Sequence, residues 1–202
     1  MKPLHFLALT TAAMLLVGCA GQAAFGRTED TRSAWPAFNG YTNAIIEVSV
    51  LDQRPYVLLG SKTANFVGLS RGGFGNPFDV MTSSGQSLAR DLNEAVTQGL
   101  VNSGITAVVA SETGAQLRSS APTKRLLMIT LKEWKSDTFT TTSFAYDLTA
   151  SLYDWHGKVL ANQTISGTKN ITSGVDGGRR ALTELLADKG IHEAIVQNGQ
   201  SN

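Results

Sequence analysis

Thr140-Thr141-Thr142-Ser143-Phe144-Ala145-Tyr146-Asp147-Leu148-Thr149-Ala150-Ser151-Leu152-Tyr153-Asp154-Trp155 decides the fold. Phe144, Tyr146, Leu148, Ala150 and Leu152 alternate with Ala145, Asp147, Thr149, Ser151 and Tyr153. A period of two sends successive side chains to opposite faces, so this is a half-buried strand, the pattern of an antiparallel sheet. Asp154-Trp155-His156-Gly157-Lys158 follows as a tight turn with glycine at its left-handed position. Lys158 to Lys169 then returns as the hairpin partner. Upstream, Lys124 to Trp134 places Leu127, Ile129 and Leu131 on one face and Leu126 and Met128 on the other, as an interior strand does.

Working outward, the period changes to that of a helix at both ends. After the break at Ser173-Gly174-Val175-Asp176-Gly177-Gly178, Ala181, Leu182, Leu185 and Leu186 form one stripe, and Ile191 to Val196 continues it or makes a separate turn. Upstream, Leu88, Leu92, Ala95, Val96 and Leu100 predict a helix over 84–103, capped by Ser83 or Ser84 and ended at Gly104. Ala44 to Leu51 reads as a strand, as does Ile105 to Val109. Asp52-Gln53-Arg54-Pro55 breaks the first of these, Tyr56 to Gly60 reads as a second short strand, and 111–121 as a short helix. Residues 60–82 read as one long irregular loop rich in glycine. The order β-α-β-β-β-β-α predicts a two-layer α+β domain over 43–202, a mostly antiparallel sheet with two helices packed on one face.

The N-terminus reads as an address. Lys2 precedes an apolar run from Leu4 to Val17, shorter than the roughly 17–25 residues a membrane-spanning helix needs, and it ends in Leu16-Val17-Gly18-Cys19. This pattern resembles the lipobox of bacterial lipoproteins. The resemblance implies cleavage between Gly18 and Cys19, removal of residues 1–18, and acylation of Cys19 as the first mature residue. Ala20 stands where an aspartate would signal retention in the inner membrane, which implies the outer membrane, facing the periplasm. Residues 19–42 are expected to be an acylated tether, with a short docked piece around Trp35 to Phe38. Two or more acyl chains hold stably where one holds marginally. Cys19 is the only cysteine, so no internal disulfide can form.

Loss of Lys2 with the leader brings the 17 basic residues level with the 16 acidic ones. A neutral chain gives no electrostatic reason to expect nucleic acid or an anionic membrane as a partner. Gly68-Leu69-Ser70-Arg71-Gly72 fits the nucleophile-elbow pattern, but Gly73-Phe74-Gly75-Asn76-Pro77 cannot start the helix that such an elbow requires. An esterase using Ser70 is kept as the less favoured alternative. Once His5 leaves with the leader, His156 and His192 stand alone, without metal-ligand spacing. Asp52, Asp147 and Asp154 read as scattered surface carboxylates. No metal site, cofactor or catalytic residue is expected. The 71–78 stretch lacks the lysine and hydroxyl of a phosphate-binding loop; it reads as a partner-contact loop displaying Arg71, Phe74 and Phe78.

The ensemble resembles the YajG-type bacterial lipoproteins. The likeness is carried by the lipobox, by Asp52-Gln53-Arg54-Pro55 with Leu59-Gly60, and by a helix from Ser87 to Gly104. It continues through Tyr146–Asp154, Gly157-Lys158-Val159-Leu160-Ala161 with Ile165-Ser166-Gly167, and Ala181 to Asn198. The resemblance implies a fold and a place rather than a chemistry. A non-catalytic accessory module of the cell envelope, held to the membrane by its N-terminal lipid and touching an envelope protein, is the reading that follows. Within it, an auxiliary lipoprotein of an envelope transporter and an activator of a cell-wall synthase are the alternatives.

Overall fold

The computed structural model describes residues 27–110 and 124–196. The leader, Gly18, Cys19 and the helix expected over 111–121 lie outside the described residues. The described residues form an α+β domain whose eight strands make one mixed sheet. The strands are β1 (Thr28–Glu29), β2 (Ile45–Asp52), β3 (Phe66–Arg71), β4 (Pro77–Thr82), β5 (Ala107–Val109), β6 (Lys124–Thr138), β7 (Thr142–Tyr153) and β8 (Val159–Ile171). The helices are α1 (Pro55–Leu58), α2 (Leu88–Asn102), α3 (Gly174–Leu186) and α4 (Lys189–Val196).

β6 is the spine of the sheet. Along one edge it pairs antiparallel with β7 over its whole length, and β7 pairs antiparallel with β8. Along the other edge it pairs in parallel first with β2, from Lys124 to Leu131, and then with β3, from Ser136 to Thr138. The antiparallel part is the one legible from alternation. β2 and β5 lie parallel to each other because α2 intervenes between them in the chain, a crossover that two-residue turns cannot make.

Register places Val48, Leu127, Leu152 and Ala161 in one row, and Leu131, Leu148 and Ile165 in another. These rows form the core face. Three helices rather than two cover it, since α4 is separate from α3: Asp188 accepts from the Gly190 and Ile191 N–H groups at 2.9 and 3.2 Å and starts a new helix. The opposite face carries Ser49, Thr130, Thr149, Thr164, Ser151 and Asn162 in matched rows.

α3 starts earlier than its leucine stripe, at Gly174, with the Ser173 side chain accepting from the Asp176 N–H. Gly177 and Gly178 are inside it, because Trp134 and Phe144 lie where their Cβ atoms would be. The glycines that read as a break are a close helix–sheet contact. α2 likewise starts at Leu88, capped by Ser87 rather than by Ser83 or Ser84.

Two expectations are corrected between residues 55 and 82. Tyr56 to Gly60 is no strand: Pro55 at the first position sets up the short α1, followed by a turn at Gly60. The expected loop 60–82 contains the β3–β4 hairpin. Gly68 masked β3, and it is needed there because a Cβ would meet the Ser136 backbone oxygen at 2.5 Å. Arg54, with no exposed surface, fixes the hairpin root. Its guanidinium donates to both Asp52 oxygens (2.9 and 2.8 Å), to the Phe66 carbonyl (2.5 Å) and to the Ala64 carbonyl (3.1 Å).

The described part of the expected tether, from Arg27 on, is docked on the domain. β1 pairs with β4, Thr31 donates to the buried Asp91 carboxylate (2.5 Å), and Ala34, Phe38 and Thr42 are buried. Pro36 lies against Gly99 of α2, and the His192 ring bonds the Asn39 carbonyl at 2.5 Å. That bond joins α4 to the docked strap.

Candidate functional site

The expected contact loop is the closed end of the β3–β4 hairpin. Ser70 pairs with Phe78 on one side and with Thr138 of β6 on the other, so β3 ends level with the β6–β7 turn. The loop closes on itself, with the Gly72 N–H donating to the Asn76 carbonyl (2.9 Å) and the Gly75 N–H to the Gly72 carbonyl (2.8 Å). Gly75 has φ +80°, the left-handed region that glycine reaches without strain. Phe74 stands at the tip, 99% exposed. Phe78, 45% exposed, keeps part of its ring against Gly72, whose Cβ position is 3.2 Å from it.

Arg71, expected as a displayed contact residue, is paired within the domain. Its guanidinium forms a two-pronged pair with Asp137 of β6, 2.7 Å in each prong, and its Nη1 reaches the Gly75 carbonyl at 3.4 Å. The hydrogen bonds from Arg71 hold the Asp137 carboxyl below the usual carboxylate range, and those to Asp137 push the Arg71 guanidinium higher. Arg71 therefore ties the loop to β6 through a partly exposed ion pair.

The structure adds Phe139, which the sequence reading missed. It is 54% exposed and sits in the β6–β7 turn, directly after Thr138, at the end of the sheet that carries Phe74 and Phe78. The available signal was an aromatic in the polar run Ser136-Asp137-Thr138-Phe139-Thr140, between two strands. Beside it lies an open basin of about 420 Å³, lined by Thr140, Thr141, Thr142, Asn170, Thr172 and Arg180 among others. Arg180 is paired with Asp176 at 3.0 Å. One end of the sheet therefore presents three exposed phenyl rings, Phe74 and Phe139 on two turns and Phe78 at the start of β4, next to a rim of hydroxyls.

Ser70 lies within β3, buried, and the chain continues as strand through Arg71. A strand-to-helix elbow is not what holds it. Asp52 belongs to the Arg54 cluster, and Asp154 accepts from the His156 and Lys158 N–H groups of its own turn. His156 is in that turn against Trp155. Among the described residues, no three His, Cys, Asp or Glu side chains come together as a metal site would require.

A buried carboxylate stands apart from the contact end. Glu29 of β1 accepts from the Ser136 hydroxyl at 3.2 Å and from the Gly174 N–H at the start of α3. Burial pushes its carboxyl up, against the lowering effect of these bonds. The helix N-terminus favours the negative form, so Glu29 reads as a pin between β1, β6 and α3.

No family model matches the chain, and no curated protein matches it. Solved structures resemble it in backbone. Protein XCC0632 from Xanthomonas campestris, of the DUF330 family, is 16% identical with a TM-score of 0.49, over 84% of this chain and 91% of that one. A PelC dodecamer from Paraburkholderia phytofirmans is 16% identical at a TM-score of 0.42, over 76% and 91% of the two chains. Lipoprotein GNA1162 from Neisseria meningitidis is 18% identical at 0.33, over 72% and 96%. None of them is described as YajG-type, so that resemblance stands on the residues that carry it. Among the described residues no helix is long and apolar enough to cross a membrane.

Proposed function

We propose that this chain is a lipid-anchored envelope protein that works by contact, presenting the Phe74 end of its sheet. The lipobox at Leu16–Cys19 supports the anchor, and Ala20 in place of an aspartate supports the outer membrane. The observation that carries the contact reading is the exposed phenyl of Phe74 on a loop tied by Arg71 to Asp137. Apolar side chains exposed singly are ordinary on a protein surface, while grouped ones mark interaction sites, so the reading draws equally on Phe78 and Phe139 at the same end of the sheet. The chemistry on that end is apolar and hydroxylic, suited to binding rather than to bond breaking.

Metabolic labelling with an alkyne palmitate tests the anchor. The native chain takes the label and sediments with membranes, and Cys19→Ala does neither. A chain that is unlabelled and freely soluble in the periplasm, or whose leader is cut elsewhere, sinks the reading. For the contact role, a photo-crosslinking residue placed at Phe74 in cells should give adducts, to phospholipid or to protein, that one placed at Thr164, on the polar face, does not. Equal patterns at the two positions would sink that part.

A further inference from the structure

We propose that the partner of the Phe74 end is the bilayer that holds the anchor, with Phe74, Phe78 and Phe139 seated in its interfacial layer. The inference rests on acylation of Cys19 as read above.

Chain direction supplies the first argument. β1 runs parallel to β4, Thr28 beside Met81 and Glu29 beside Thr82, and the Arg27 carbonyl accepts from the Met81 N–H at 3.0 Å. β4 runs away from the hairpin loop, so β1 does too. At Arg27 the chain therefore arrives from the side on which Phe74 stands.

Length supplies the second. Cys19 and Arg27 are eight positions apart, a covalent reach of at most about 28 Å. From the level of Met81 to Pro77 is four residues of β4, about 13 Å, with the loop just beyond. The opposite end of the sheet lies ten residues of β6 away, from Trp134 back to Lys124, or about 33 Å. The leash reaches past the phenyl end and falls short of the far end. Docking of residues 27–42 is what shortens it; a tether free from 19 to 42 would have left every orientation open.

Chemistry supplies the third. From Gly72 to Phe78 there is no ionisable side chain, and the nearest cation, Arg71, is paired with Asp137. Phenyl rings at the apolar boundary and hydroxyls above it match the layering of a bilayer surface. The Thr140–Thr142 and Asn170–Thr172 rim stands beside the rings, where headgroups would lie.

The test uses the full lipidated chain, reconstituted into vesicles of phosphatidylethanolamine and phosphatidylglycerol. Because Cys19 is the sole cysteine and is acylated, Phe74→Cys, Phe139→Cys and His156→Cys each offer one free thiol for a nitroxide. Labels at 74 and 139 should collide several-fold more with oxygen than with a water-soluble nickel chelate, and the label at 156 should show the reverse. In a second measurement, Phe74→Asp should speed transfer of the lipidated protein to acceptor vesicles about tenfold, as expected for losing one buried phenyl. An aqueous label at 74, an unchanged transfer rate, or shielding of 74 only after an envelope extract is added would overturn the proposal, the last in favour of a protein partner. Failure of the underlying reading is told apart beforehand, by a protein mass without lipid on Cys19.

Discussion

The hairpins β7–β8 and β3–β4 close at opposite ends of the sheet and are held in opposite ways. The β7–β8 turn satisfies itself. The Asp154 side chain accepts from the His156 and Lys158 N–H groups, both at 2.9 Å, and Gly157 takes φ +83°. The β3–β4 hairpin is held from elsewhere in the chain. Its root hangs on Arg54, its strand is admitted to β6 by the missing side chain of Gly68, and its end is tied by Arg71 to Asp137, 66 positions away. A turn made of local bonds can be read in a sequence. A turn that adds tertiary ties to its own backbone bonds cannot be read in full, and here the second kind carries the exposed apolar tip. Rigidity imported from the core lets a loop of glycines hold a phenyl in water without folding it back.

The sharpest way to break this contrast is Arg54→Met. The change roughly keeps the volume and removes the guanidinium from the Phe66 carbonyl and from both Asp52 oxygens in a largely buried place, while the Ala64 carbonyl keeps the Leu88 N–H and Asp52 keeps the Arg54 backbone N–H. Removing one partner of a buried pair costs about 3–5 kcal/mol. A urea unfolding midpoint should fall accordingly with the slope unchanged. A loss under about 1 kcal/mol would mean that the sheet ladder alone holds the root.

Gly68→Val comes next and tests the sign. Valine suits a strand better than glycine does, so a position limited by propensity would be stabilised. A side chain here runs into the Ser136 backbone, and overpacking of that kind costs about 1–3 kcal/mol. Stabilisation would show that β3 and β6 can spread. Asp154→Ala probes the self-sufficient hairpin. It removes two bonds from an exposed turn, an expected loss of about 1 kcal/mol, with no change in exchange at the Phe74 loop. A coupled loosening of 72–76 would remove the distinction between the two turns.

The same distinction explains what was legible. Strict alternation from Phe144 to Leu152 and the leucine stripes of α2 and α3 revealed one buried face each, and hence the two layers. β3 was hidden by Gly68, and the start of α3 by Gly177 and Gly178. Each of these glycines answers a side chain or backbone far away in sequence, Ser136 in one case and Trp134 and Phe144 in the other. Phe74 could be named as a displayed aromatic because glycines flank it in the chain, and Phe78 because it lies in the same short stretch. Arg71 could not be assigned its role, since its partner Asp137 is visible only once β3 lies against β6. Docking was expected only around Trp35 to Phe38, where Pro36 meets Gly99; the rest of 31–42 was opaque for the same reason, since it depends on contacts such as Thr31 meeting Asp91.

The smallest expected effect sharpens the comparison through pH. Arg71 holds the Asp137 carboxyl below its ordinary range. A carboxyl lowered on folding contributes stability that is present above its unfolded pKa of about 3.9 and is lost as pH falls through the lower folded value. The tie between the loop and β6 should therefore be intact at pH 5 and released well below pH 4. Both partners are partly exposed, so global stability changes little, and the effect should be local. Amide order parameters at Gly73 and Gly75 should drop on acidification, and Asp137→Asn should give the same drop at neutral pH. The amides of His156 and Gly157 serve as an internal reference under the variant, because their bonds to Asp154 do not involve Asp137. If the 73–75 amides stay ordered in Asp137→Asn, the internal Gly72–Asn76 bonds suffice, and this loop too is a turn that holds itself.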